Sequence, residues 1–236
     1  MERLHKVTAG FVFAFICLHF AIHLIGLEGV GAYQQLLEAS RLIYRHPIVE
    51  LLLLMAFFVQ ILTGIALSRK IWAEKKDIVH QLQAASGTYL AIFVMLHVAW
   101  VFVGRLILNL DTNFDYAAIT LSAPGWMYVA IPFYALAILA IFTHVGCICY
   151  DIFKKTNKRL GGAFIVLAMG AGVYVAYLIL MMYTGRLYPV TIAEEYTDIF
   201  GQPAAVQPLS PSAPALIPNM APAPETAKPE PAAPAK

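Results

Sequence analysis

The chain has 236 residues, of which 60% are hydrophobic and 13% charged, and its formal net charge is +2. A soluble domain lies nearer half apolar and a quarter charged, so an ordinary water-soluble fold is excluded. The near-neutral balance leaves no basic footprint for nucleic acid.

Taken in order, the chain contains five apolar blocks separated by charged loops: about Val7–Gly26, Pro47–Leu67, Ser86–Leu108, Met127–Tyr150 and Ala163–Tyr183. Each is roughly 20 residues long, enough to carry a helix across ~30 Å of hydrocarbon. Helix is the open-chain structure that satisfies its own backbone in lipid. The expected class is therefore an all-α membrane protein, a five-helix transmembrane bundle over residues 1–201. The first block is too long for a signal peptide and lacks a small-x-small cleavage pattern. Pro47 suits a first helical turn, and Pro132 sits one turn into the fourth block. Cys17, Cys147 and Cys149 fall inside helices; Cys-Ile-Cys has the wrong spacing for a redox or zinc pair and reads as packing. From Gln202 to Lys236 Pro and Ala dominate; such a composition buries no core and is expected to be disordered.

Lys and Arg set the expected orientation. Arg3 and Lys6, then Arg69, Lys70, Lys75 and Lys76, then Lys154, Lys155, Lys158 and Arg159 share one side. Arg41, Arg45, Arg105 and Arg186 hold the other. This predicts a cytoplasmic N-terminus and an external C-terminus in a cell inner (plasma) membrane. Trp72, Trp126, Tyr44, Tyr128 and Tyr150 lie near block ends, where amphipathic rings favour the interface.

Ionisable side chains inside spans are rare and point to function. Four histidines fall there: His19 and His23 in the first block, His97 in the third and His144 in the fourth; these are the candidate metal ligands. His5, His46 and His80 lie at or outside block ends. At ~1.5 Å per residue, His19 stands roughly 18 Å from Val7 and His97 roughly 16 Å from Ser86. The two can face each other as axial ligands of a b haem, with His23, one turn beyond His19, as the alternative. His144 occupies another tier, roughly 9 Å from the basic side, at a depth matched by Gln60. Gly10, Gly64, Gly87, Gly104 and Gly146 accompany these helices and read as close packing or as room for a macrocycle.

The order of these features resembles the five-helix cytochrome b membrane anchor of succinate dehydrogenase and fumarate reductase complexes. The resemblance runs from about Leu4 to Tyr183. It rests on Leu4-His5-Lys6-Val7-Thr8 with His19-Phe-Ala-Ile-His23, on Pro47-Ile-Val-Glu50 with Gln60-Ile-Leu-Thr-Gly64, and on Gln83-Ala-Ala-Ser-Gly87 with Phe93-Val-Met-Leu-His97. Ile141-Phe-Thr-His144 completes it. In two-haem members the first and third helices ligate the far haem, and the second and fourth the near one. The resemblance thus implies His19 (or His23) with His97 for one haem, and Gln60 with His144 for a second. Gln is not an ordinary axial ligand, and Ala84 stands where the family usually has a propionate-binding Arg. One haem is therefore expected, with the second site in question and Gln60 as hydrogen-bond partner of His144.

The resemblance also implies an electron-transfer anchor that exchanges electrons with quinone and docks flavoprotein and iron–sulfur subunits on its cytoplasmic face. Arg69–Lys76 and Lys154–Arg159 would form that face. Quinone contacts are expected from Ser86, Gln83 and His80 on one side, and from Glu50 and Glu28, with Glu38, on the other. The chain has no Gly-rich nucleotide turn and no cysteine set for a cluster, so it holds no succinate-oxidising site of its own. A cytochrome b serving another reductase and a haem-free membrane scaffold are the alternative readings.

Overall fold

A computed structural model describes residues 1–204; the tail expected over 202–236 lies outside this range from residue 205 onward. The described chain is all α, and five of its helices are long and apolar enough to cross a membrane. It is a multi-pass membrane protein. The spanning helices are α1 (Glu2–Ile25), α3 (Pro47–Ala73), α4 (Ile78–Phe102), α6 (Met127–Phe153) and α7 (Lys158–Tyr183). Three shorter helices, α2 (Val30–Tyr44), α5 (Phe114–Ser122) and α8 (Glu194–Phe200), follow the first, third and fifth crossings. They gather at one end of the bundle, the capped end; the other is the lysine-rich end.

Most spans extend further than their apolar blocks. Hydropathy marks the hydrocarbon core, whereas backbone hydrogen bonding continues through the charged interface until a cap stops it. Asp77 begins α4 by accepting from the Val79 and His80 N–H groups, and Asn157 begins α7 by accepting from those of Arg159 and Leu160. Arg69 and Lys70, expected in a loop, therefore ride on the last turn of α3. Helix α6 runs unbroken through Pro132.

The spans pack in sequence, α1 on α3, α3 on α4, α4 on α6, and α6 on α7 along the longest seam. That seam is built on small residues. A Cβ on Gly146 would lie 2.9 Å from Ala168 Cβ, and one on Gly172 2.9 Å from Phe142 Cβ, so the backbones approach as small-residue interfaces in lipid do. Gly170, on the same helix, has nothing within 4 Å of where its Cβ would be. Large apolar side chains on the outer faces are exposed: Leu51, Met55, Phe58 and Leu62 form one stripe along α3. Their spacing of three and four residues puts them on one helix face, the face that lipid covers.

The capped end is tied by polar groups. Arg41 of α2 donates from Nη1 and Nη2 to both Asp111 oxygens at 3.0 and 2.7 Å, and from Nη1 to Glu38 at 2.6 Å. Arg45 donates to Thr112 Oγ1 at 2.9 Å. After α4 the chain widens into a π turn, Val103–Ile107. Tyr116 Oη of α5 donates there to the Trp100 carbonyl at 2.8 Å, its ring lying against Gly104 where a Cβ would be 2.7 Å away. The Ala204 N–H donates to Ser122 O and seats the described C-terminus on α5.

Candidate functional site in the bundle interior

Between α1, α3, α4 and α6 the bundle is hollow. A cavity of about 1340 Å³ runs from Glu2 and Lys6 at the lysine-rich end to Thr112 and Asn113 at the capped end. That exceeds the roughly 300–1,000 Å³ of an ordinary small-molecule pocket. Its wall is mainly apolar, and its polar groups fall into two tiers.

The tier nearer the capped end holds three histidines. His19 of α1 and His97 of α4 are neighbours, with ring centres 6.0 Å apart and planes inclined at 62°. Two imidazoles bound through nitrogen at about 2.0 Å on opposite faces of one metal stand roughly 6.3 Å apart between ring centres. The pair is therefore spaced for one iron between them. His97 Nδ1 lies 3.2 Å from Tyr134 Oη of α6, and the Phe93 ring stacks on the imidazole at 5.2 Å. Holding Nδ1 orients the ring and leaves Nε2 as the nitrogen that would be available to a metal. His23 joins the same cluster: its Nδ1 meets Tyr183 Oη at 2.7 Å and its Nε2 meets His19 Nε2 at 3.1 Å. A metal on His19 would replace that second contact. At the capped mouth Arg45 and Arg105 line the cavity, Arg105 bonding Glu50.

The tier nearer the lysine-rich end corrects one expectation. Gln60 does not meet His144. It accepts from Thr8 Oγ1 at 2.6 Å and donates from Nε2 to His5 Nε2 at 3.1 Å. His144 instead donates from Nδ1 to the Gln83 carbonyl at 3.1 Å, with Ser86 Oγ at 3.3 Å. His5, placed by sequence at the edge of the span, is drawn inside because α1 begins at Glu2 rather than Val7. A signal was present: the His5-x-x-Thr8 pair lies one turn apart, on one polar strip of an otherwise apolar helix.

Among the described residues no group of three or more His, Cys, Asp and Glu side chains is disposed to hold a bare metal ion. A haem iron, held by its macrocycle, would draw its remaining ligands from the chain, and His19 and His97, 6.0 Å apart between ring centres, are the residues that would hold it. His144 stands apart from those two, in the other tier.

The expected quinone contacts separate. Ser86 is buried and committed to Gln83 and His144. Gln83, His80 and Glu50 line the cavity, with His80 Nδ1 on Asp77 at 2.7 Å. Glu28 is exposed in a short turn after α1 and does not reach the cavity, and Glu38 is engaged by Arg41 and Gln34. No family profile, curated relative or solved structure matches this chain.

Proposed function

We propose that this protein is a membrane-embedded cytochrome b, the anchor and electron-transfer subunit of a succinate:quinone oxidoreductase. The observation that supports it most is the His19–His97 pair, 6.0 Å apart between ring centres, inside a long cavity of the bundle. When bound, the haem supplies a one-electron carrier. The chain's own part is to hold its iron between two neutral imidazoles, with Tyr134 fixing the His97 ring. Apolar walls keep water from that tier, and Arg45 and Arg105 offer cations to propionates at the capped mouth.

In this reading the lysine-rich end faces the cytoplasm of a cell whose inner membrane holds the protein, following the charge bias. Flavoprotein and iron–sulfur subunits dock there on Lys70, Lys75, Lys76 and the Lys154–Arg159 segment. Quinone exchanges at a cavity mouth. Glu50, paired with Arg105, is the carboxylate placed to exchange a proton at the capped mouth, and His80 and Gln83 are the polar groups at the other. Glu28 has no part in it.

The test is an absorption spectrum of the protein purified in mild detergent, with the copurifying chains identified. The expected result is a Soret band, a reduced b-type α band, and a flavoprotein and an iron–sulfur protein in the complex. Absence of any Soret band overturns the cytochrome reading. A b haem accompanied by a different oxidoreductase overturns the partner assignment.

A further inference from the structure

The spans pack in chain order, and α1 stands at one end of that row. It packs along α3 and α2, and among the described residues it forms no seam with α6. The two helices meet where the rings of Phe20 and Phe142 lie 6.1 Å apart. Toward the lysine-rich end both line the cavity instead. Phe13 and Lys6 stand seven and fourteen residues before Phe20, on nearly the same face of α1. On α6, Val145, Ile148 and Ile152 lead from Phe142 to Lys155. All of them line the cavity, and Phe13, Ile148 and Ile152 are also exposed. Between α1 and α6 there is thus a cleft with apolar walls, open on the lipid side.

Its length is that of one leaflet. At ~1.5 Å per residue, Lys6 lies roughly 21 Å from Phe20 and Lys155 roughly 20 Å from Phe142. The two lysines therefore stand level, one on each lip of the cleft. Half of a bilayer about 40–45 Å thick, headgroups included, is roughly 20–22 Å.

The charges at this end are unequally committed. Lys70 and Lys76 share Glu74 at 3.8 and 3.3 Å, and Lys154 holds Asp151 at 2.6 Å. Lys6 and Lys155 have no carboxylate within 4.0 Å among the described residues. Of the carboxylates lining this mouth, Asp151 is taken by Lys154, and Glu2 is the other. Free cations above an apolar cleft between helices match a phosphate headgroup with acyl chains below it.

We propose that the α1–α6 cleft binds one anionic phospholipid from the leaflet at the lysine-rich end. Its phosphate lies between Lys6 and Lys155, and its acyl chains run inward along Phe13, Val145 and Ile148 to the Phe20–Phe142 contact. The lipid closes the side of the bundle that these two helices leave open. On its other side the same half of α1 is held to α3, by Thr8 on Gln60 and by His5 on Gln60 and Thr63. The inference goes beyond the cytochrome reading and does not depend on it.

The experiment counts phospholipid on the full chain in mild detergent by native mass spectrometry, and follows thermal unfolding in micelles doped with phosphatidylglycerol or with phosphatidylcholine. Wild type is expected to retain one phospholipid per chain and to be stabilised more by phosphatidylglycerol. Lys6→Gln combined with Lys155→Gln should weaken phosphatidylglycerol binding about 30-fold, the worth of two lysines at an anionic headgroup. It should also remove the extra stabilisation, with unchanged melting in phosphatidylcholine reporting intact folding. Lys6→Arg combined with Lys155→Arg should restore both. Arg3→Gln combined with Lys158→Gln takes the same charge from the same end outside the cleft and should leave the preference in place. A preference that survives the Lys6 and Lys155 glutamine pair overturns the inference. So does equal loss in the Arg3 and Lys158 pair, which would mean general attraction to the charged end. Absence of any preference in wild type overturns it too, as does one quinone per chain extracted in place of phospholipid.

Discussion

At the scale of single residues, the histidines divide by what holds their outer nitrogen. His97 is fixed by Tyr134, His144 by a backbone carbonyl, and His23 by Tyr183. Tyr134→Phe should keep a haem at His97 but weaken its retention about 10–100-fold, the usual consequence of losing such a partner; haem loss to an apo-acceptor measures this. His23→Ala should retain that haem, since Tyr183 already engages His23 Nδ1 and the ring pair spaced at 6.0 Å is His19 with His97. At the capped end, Arg41 is only 7% exposed, against 40% for its partner Asp111. Arg41→Ala strands a carboxylate in a partly buried site and should cost about 2–3 kcal/mol, less than the 3–5 of a fully buried pair. Arg41→Lys should recover little, because an ammonium cannot make the paired contact. Thermal unfolding in detergent checks both.

At the scale of elements, legibility followed physical cause. Roughly 20 apolar residues announce a span whatever their order, so all five crossings could be read from the sequence. The ends could not, since they depend on single caps such as Asp77 and Asn157. Nor were α2, α5 and α8 read: they are short, and their apolar faces (Tyr33 and Leu37 on α2, Phe114 and Ile119 on α5) were masked by the stronger signal of the spans beside them. The closeness of His19 and His97 was legible because rise per residue fixes depth. The partner of Gln60 was not, because it depended on where α1 starts. Asp77→Ala should destabilise the start of α4 by about 1 kcal/mol. Burial of Asp77 acts upward on its pKa, but its bonds with His80 outweigh this and hold it below the usual carboxylate value. A carboxyl with a depressed folded pKa stabilises at pH above its unfolded pKa and loses that contribution as pH falls through the folded one. The wild-type advantage over Asp77→Ala should therefore be present at neutral pH and vanish in acid. In the α6–α7 seam, Gly172→Leu drives a side chain into Phe142 and should lower stability by about 1–3 kcal/mol.

At the scale of the whole molecule, the fold is a hollow bundle whose outer surface is made for lipid and whose interior is not filled by its own side chains. Protein interiors are ordinarily packed to crystal-like density; a cavity of about 1340 Å³ flanked by imidazoles has the room that the proposed haem would need. The central claim is that His19 and His97 bind one iron between them. Electron paramagnetic resonance of the oxidised, purified protein tests it most directly. The prediction is a low-spin bis-imidazole signal that disappears in both His19→Ala and His97→Ala and survives in His23→Ala. Persistence of every low-spin signal in His97→Ala would contradict it.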